Sequence, residues 1–103
     1  MVYFSEQSVQ DIDDFVVGLL KWQKFELSVE FVQEYRNIII SNCISLDTKS
    51  FHFNTRFTFH RQFGQKVHTY RRNKQTVWYI IYNLDVHGNV YIQRLLSNHN
   101  TID

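Results

Sequence analysis

The basic side chains of the sequence are concentrated in its middle. Residues 49–74 contain seven lysines and arginines and no acidic residue, whereas residues 1–47 contain eight acidic and three basic side chains. The seven bases are Lys49, Arg56, Arg61, Lys66, Arg71, Arg72 and Lys74. A surface of one sign attracts polyanions such as nucleic acid, or an acidic segment of a partner protein. The alternative is that acidic helices and a basic sheet neutralise each other where they meet, through individually weak ion pairs.

Arginine and histidine side chains suit one reaction that needs neither a metal ion nor a protein nucleophile. RNA carries its own nucleophile in the 2′-hydroxyl group. An enzyme can cleave it with a base near that hydroxyl, cations around the phosphate and an acid near the departing 5′-oxygen. Under this hypothesis Arg72 and Arg94 bind the phosphate and its developing charge, and His99 is the general acid or base. Histidine fits that role because its unperturbed pKa lies close to neutral pH.

Four more residues are candidates for binding RNA beside these catalytic groups. They lie in and directly after one predicted strand, and are His68, Tyr70, Arg71 and Lys74. Because successive side chains of a strand point to opposite faces, Arg71 and Arg72 cannot readily share one groove. Lys74 also suits a solvated turn.

Two of the catalytic candidates have purely structural alternatives. Arg94 has the strand parity of Ile92, so on a face that meets the helices it would be a partly buried arginine paired with Asp13 or Asp14. His99 stands in a polar segment close to the end of the sequence, where a chain commonly frays. In either case the residue belongs to the scaffold or to the solvent, and not to a reacting site.

Several other classes of site are not indicated. The three glycines are isolated, so the sequence has no glycine-rich phosphate loop. The five histidines lack the helical spacing of a zinc motif and Cys43 is the only cysteine, so we expect no metal site, no cofactor and no intramolecular disulfide. No apolar run approaches the roughly 20 residues that span a bilayer, so no membrane role is indicated, and a cytoplasmic location fits best.

A three-stranded antiparallel meander is predicted for the second half of the chain. Residues 76–96 contain two runs of β-branched and aromatic residues, separated by the turn-forming residues Asp85, Gly88 and Asn89. Residues 67–72 alternate in the same way and precede them. This meander is the predicted centre of the sheet.

Two amphipathic helices are predicted before the meander. After a short strand at residues 2–4, Ser5 is a candidate N-cap, and apolar residues then recur at helical spacing. They are Val9, Ile12, Val16, Leu19 and Leu20, with Asp11 and Asp14 off the stripe. The pattern is lost at residues 22–25, and Ser28 begins a second helix that extends to Leu46 and includes the β-branched run at residues 38–40. We therefore expect one α+β domain over residues 1–103, with a short N-terminal strand and a two-helix hairpin packed on a three- to four-stranded antiparallel sheet.

Residues 47–66 predict either a small extra hairpin or a loop whose aromatic rings plug the edge of the core. Five phenylalanines alternate there with histidines and arginines: Phe51, Phe53, Phe57, Phe59 and Phe63. Aromatic rings interleaved with bases also suit stacking on unpaired nucleotides. We interpret the rings as core residues, because phenylalanine is mostly buried in globular domains.

The order of these elements resembles the RelE/ParE superfamily of toxins from bacterial toxin-antitoxin modules. The likeness covers most of the chain, except residues 47–66. The segments that carry it are Val2–Ser5 with Asp11-Ile12, the helix from Ser28 to Leu46, Trp78–Tyr82, and Val90–Leu96 with Asn98–Asn100 after it. The last of these is similar to the family's closing strand, in which aliphatic residues and a polar cluster follow an arginine.

The resemblance implies a toxin held inactive by a cognate antitoxin protein. Members are either ribosome-dependent messenger RNA endonucleases that work without a metal, or inhibitors of DNA gyrase that cleave no nucleic acid. The endonucleases commonly have a basic residue at the start of the strand corresponding to residues 76–83, and often end with a tyrosine or a His-Tyr pair. Here Thr76 stands at the start of that strand, with Lys74 nearby. The last tyrosine is Tyr91, and of the two residue types in the His-Tyr pair only a histidine, His99, occurs after it. We expect RNA cleavage ahead of gyrase inhibition, with an inactive protein-interaction domain of the same fold as a further alternative.

Overall fold

The computed structural model describes residues 1–21 and 28–99, which form helices and one five-stranded sheet. The helices are α1 (Glu6–Lys21), α2 (Val29–Ile44) and α3 (Thr58–Arg61), with a 3-10 turn at Ser45–Thr48. The strands are β1 (Val2–Phe4), β2 (Phe53–Asn54), β3 (Lys66–Arg71), β4 (Val77–Leu84) and β5 (Val90–Ser97). The α+β class is confirmed.

The sheet differs from the predicted one in strand number and in direction. Its order is β1-β5-β4-β3-β2, with β1 parallel to β5 and the other pairs antiparallel. The predicted meander is confirmed as its centre. The expectation of three or four antiparallel strands was wrong in two respects. The two-residue strand β2 makes the sheet five-stranded, and β1 pairs in parallel with β5, at the opposite edge of the sheet from β2.

Both predicted serine caps begin helices. The Ser5 hydroxyl oxygen accepts from the backbone N–H of Ser8 at 3.0 Å, and that of Ser28 accepts from the N–H of Phe31 at 3.0 Å. Each cap satisfies one of the N–H groups that the first turn of a helix leaves without an internal partner. The β-branched run at residues 38–40 is helical, as predicted, and the predicted link at residues 22–25 lies outside the described residues.

The core lies between the two long helices and the central strands. Its centre is aromatic: the Trp78 indole N–H donates to the Tyr35 hydroxyl at 3.0 Å, and the Phe15 ring packs edge-on against both rings at 4.7 and 4.8 Å. The predicted stripe of α1 is rotated from the true buried face. Val9 and Leu20 are 43% and 40% exposed, so their assignment to that face was wrong.

The hairpin between β4 and β5 closes on a turn organised by Asp85. Its carboxylate accepts from the backbone N–H groups of His87 and Asn89, from the Asn89 side-chain amide and from the Tyr91 hydroxyl. These bonds, led by that from the Asn89 side chain, lower the pKa of Asp85 to about 2. Gly88 has φ of 82°, a conformation that favours glycine.

Residues 55–64 cover the sheet face that points away from α1 and α2. His60 is buried with its ring 4.7 Å from that of Tyr79. Gly64 lies so close to β4 that a Cβ atom there would be 2.9 Å from Ile81 Cγ2. The segment is therefore anchored on the sheet, and both sheet faces are packed.

Most of the phenylalanines in this part of the chain are not core residues. Phe51 and Phe53 are each 66% exposed and Phe57 is 44% exposed, whereas Phe59 and Phe63 are half-buried. The core interpretation was therefore wrong for the first three. A hairpin within residues 47–66 is not what the structure shows, because residues 58–61 form α3 and the two-residue β2 pairs with β3 instead.

Candidate functional site

Five of the seven predicted site residues lie at one end of the sheet, around the turn between β3 and β4. They are Tyr70, Arg71, Arg72, Lys74 and His99. The backbone N–H of Arg72 donates to the Thr76 carbonyl at 2.9 Å, and the Thr76 hydroxyl is 3.2 Å from His99 Nε2. Thr76 therefore links the backbone of the arginine that follows β3 to the side chain of the histidine that follows β5.

Among the described residues, Arg72 is held by aromatic rings and not by a carboxylate. Its guanidinium carbon lies 4.2 Å from the centroid of the Tyr35 ring and 5.9 Å from that of Phe31, both on α2. Its Nη1 atom donates to the Tyr70 hydroxyl at 3.4 Å. Such stacking fixes the guanidinium plane without neutralising its charge, so its remaining N–H groups can bind an anion.

His99 is exposed, and the chain leading to it is hydrogen-bonded to the sheet. The Asn98 side chain accepts from the N–H of Val77 at 3.1 Å and donates to the carbonyl of Gln75 at 2.9 Å. The N–H of His99 donates to the Ser97 hydroxyl at 3.2 Å. Up to residue 99 the chain is thus hydrogen-bonded beside the β3–β4 turn.

Arg71 and Lys74 are both exposed beside this group. Arg71 pairs with Val77 in the sheet and lines a small pocket on the far face, whereas Arg72 lies against α2. The two arginines are therefore on opposite faces, as predicted. Lys74 is in the turn that Asn73 closes by accepting from the N–H groups of Gln75 and Thr76.

Arg94 lies apart from this group, in an ion pair with α1. Its Nε and Nη2 atoms donate to the two carboxylate oxygens of Asp11 at 2.8 and 3.1 Å. The side chains of the pair are only 23% and 8% exposed. The prediction that Asp13 or Asp14 would pair with Arg94 was therefore wrong. The structure does show the structural alternative in outline, a partly buried Arg94 paired with a carboxylate of α1.

A bulge in β5 explains why the strand parity of Arg94 predicted the wrong face of the sheet for its side chain. Ile92 pairs with Tyr82 while Arg94 pairs with the adjacent Ile81, so one extra residue, Gln93, is inserted between them. Such a bulge reverses the alternation of all following side chains. The Arg94 guanidinium thereby stacks over the ring of Phe63 at 4.6 Å, on the side of the sheet opposite to Ile92.

His68 is also apart from the group, in the middle of β3. Its Nε2 atom is 3.3 Å from the side-chain oxygen of Asn42 on α2. Burial, and then the positive charge of Lys49, lower the pKa of His68 below its usual 6.5. It is therefore neutral at physiological pH and adds no charge to bind a phosphate.

Reasoning from the sequence missed Asp11, the residue that anchors Arg94. A signal was present: Ser8, Ile12, Phe15 and Leu19 recur at steps of three and four, and Asp11 lies three residues after Ser8 and four before Phe15, on the same face of α1. An acidic residue inside an otherwise apolar stripe indicates a buried partner for its charge. Thr76, which links Arg72 to His99, had no comparable signal.

Other reactive groups of the described residues do not form a competing centre. Burial raises the pKa of the Cys43 thiol to about 12, so it is not a ready nucleophile. Within residues 1–21 and 28–99, no three histidine, cysteine or acidic side chains are grouped as metal ligands would be. None of the helices in that part of the chain combines the length and apolar character needed to cross a membrane.

Comparison with known proteins finds no matching family model, no matching curated protein and no matching solved structure.

Proposed function

We propose that this protein is a toxin of the RelE/ParE type that cleaves messenger RNA, acts in the cytoplasm and is restrained by an antitoxin protein. The observation that carries the proposal is the linkage of Arg72 to His99 through Thr76, beside the exposed bases Arg71 and Lys74. Ion pairs among the described residues involve none of these cations. The order of the elements, which first gave the resemblance, supports it too.

In this proposal the two central residues have distinct roles. Arg72, stacked on Tyr35, binds the scissile phosphate and its developing charge with N–H groups that the ring does not use. One ring nitrogen of His99 bonds to Thr76. The other has no hydrogen-bond partner among the described residues, and in this proposal it exchanges a proton with the 2′-hydroxyl or the 5′-oxygen. Arg94 has no place in this site, because Asp11 already occupies two of its nitrogen atoms.

The proposal is tested by mapping messenger RNA ends after induced expression in bacteria, and on purified ribosomes programmed with messenger RNA. We expect new 5′ ends with the unmodified protein. His99→Ala and Arg72→Ala should each reduce cleavage more than tenfold, and each decade corresponds to about 1.4 kcal/mol of barrier. Lys21→Ala, which removes an exposed base from the end of α1, is the matched control and should cleave as the unmodified protein does.

Three outcomes would overturn the proposal. Intact transcripts together with blocked DNA supercoiling would identify a gyrase inhibitor, and normal growth with intact transcripts would identify an inactive relative of the toxins. Undiminished cleavage by a folded His99→Ala variant would place the chemistry elsewhere. Circular dichroism of each variant tests whether it is folded.

A further inference from the structure

The outer edge of β3 is covered over only part of its length. β2 pairs with it at Val67 and Lys66 and then ends. The N–H of Arg72 bonds to Thr76 on the β4 side, so by the alternation of a strand the backbone groups of Thr69 and Arg71 point the other way, to the open edge. Among the described residues, no turn, loop or cap hydrogen bond of the backbone uses these groups, and both residues are exposed.

A pocket opens on each side of this edge. The larger, of about 570 Å³, lies on the side of α2 and is lined by Phe51, Phe53 and His68 among others. The smaller, of about 220 Å³, lies on the far face and is lined by Phe57, Arg71 and Tyr79 among others. Val67, Thr69 and Arg56 border both pockets. Successive side chains of a strand added at this edge would point alternately into the two pockets.

The charges that the described residues place around the edge are all of one sign. In that part of the chain the charged residues that line the two pockets are Lys49, Arg56 and Arg71, and none is acidic. The ion pairs among the described residues involve none of the three. A second copy of this chain would bring equal charges together at such an edge, which disfavours pairing between copies.

We propose that this edge binds an extended, acidic segment of a partner protein, which adds to the sheet as a sixth strand. Backbone bonds to Thr69 and Arg71 hold the segment, its apolar side chains contact the exposed phenylalanine rings, and its carboxylates pair with the three bases. Unpaired backbone groups and pockets on both faces favour a peptide over RNA, whose bases need stacking surfaces but no strand edge. The surface uses neither Arg72 nor His99, so it does not depend on the proposed function.

The experiment is a selection from a random twelve-residue peptide library displayed on phage, with the purified full chain immobilised. We expect enrichment of peptides in which acidic and apolar residues alternate. The best enriched peptide is then synthesised with a fluorescent label, and its affinity is measured by anisotropy. Hydrogen exchange in the complex should slow at least tenfold at the amides of Thr69 and Arg71, which requires no variant.

Two variants at one position separate strand addition from simple charge attraction. Thr69→Pro removes the outward N–H, and proline is tolerated on edge strands, whereas Thr69→Ala keeps that N–H. We expect Thr69→Pro to weaken binding at least tenfold and Thr69→Ala less than twofold. Arg56→Glu should weaken it at least tenfold, while Lys21→Glu on α1 should change it less than twofold.

Several results would overturn the proposal. These are a selection without acidic enrichment, unchanged exchange at both amides, or equal affinity of Thr69→Pro and the unmodified chain. Labelled oligouridine of twelve nucleotides is the probe for the alternative. If it displaces the peptide and binds Thr69→Pro as tightly as the unmodified chain, the surface is a nucleic-acid site.

Discussion

Basic side chains have opposite roles in the β5 half and the β3 half of the sheet, which are called its β5 side and its β3 side. On the β5 side, the short strand β1 ends at Phe4, and the Asp11 carboxylate then accepts from the N–H of Leu95 at 3.0 Å while it binds Arg94. On the β3 side, the still shorter β2 ends and nothing within the described residues replaces it. A base on the first side completes the scaffold, and a base on the second is available to a partner. Charge counted along the sequence does not distinguish the two.

Among changes at the two sheet edges, the largest effect is expected from breaking the β5 side. Asp11→Ala leaves the partly buried Arg94 guanidinium and the N–H of Leu95 without their acceptor, so it should lower the free energy of unfolding by about 3 kcal/mol. Asp13→Ala, which removes an exposed carboxylate from the same helix, is the matched control and should change it by less than about 0.5 kcal/mol. Urea denaturation measures both. Equal losses would mean that the carboxylates act only through the overall charge of α1.

A smaller loss is expected where residues 55–64 are fixed beside the open β3 side. A Cβ atom on residue 64 would lie 2.9 Å from Ile81 Cγ2 and 3.2 Å from the Tyr82 carbonyl oxygen, so Gly64→Ala should destabilise the protein by about 2 kcal/mol. Gly18→Ala is a control of opposite sign. Nothing lies within 4 Å of its new methyl group, and alanine favours the helix by about 0.5–1 kcal/mol. A stable Gly64→Ala variant would show that the segment can move off the sheet.

The exposed rings of the β3 side should contribute little to stability. Phe53→Ala is expected to change the free energy of unfolding by less than about 0.5 kcal/mol, because its ring is 66% exposed. Phe15→Ala, which removes a ring packed against Trp78 and Tyr35, should lower it by about 3–5 kcal/mol. Thermal denaturation of the two variants gives the comparison. A comparable loss of stability in both variants would mean that the Phe53 ring contributes to the core.

The smallest effect is a pH dependence from His68, which is half-buried next to the open edge. Its pKa is lowered in the folded protein, chiefly by burial, so below about pH 6.5 the unfolded chain binds a proton more readily than the folded one. Stability should therefore fall as the pH is lowered through that range. His68→Gln should reduce this slope, and His87→Gln, at an exposed turn position, should leave it. Urea midpoints between pH 5 and 8 measure the difference.

Local chemistry made much of the fold predictable from the sequence. Ser5 and Ser28 have side chains that cap the turn that follows them, and Asp85 and Gly88 determine the turn between β4 and β5 by their own bonds and backbone angles. What the sequence could not show depends on distant pairings. β1 adds beside β5 in parallel, and no local pattern encodes that register.

The candidate site was predictable in part, for the same reason. Tyr70, Arg71, Arg72 and Lys74 are neighbours in sequence, so predicting one strand and its turn placed them together. His99 reaches them only through the pairing of β4 with β5. Arg94 was misplaced because a bulge, which has no sequence signature here, shifted its side chain to the other face.

The parallel pairing of β1 with β5 has a consequence for how the protein folds during its synthesis. The hydroxyl group of Ser5 bonds to the carbonyl of Gln93, a separation of 88 residues, so closing this contact orders a very long loop. During translation the first strand and the buried face of α1 must wait until β5 has left the ribosome. Until then the apolar surface of the nascent chain is uncovered, and it is a natural target for chaperones and proteases.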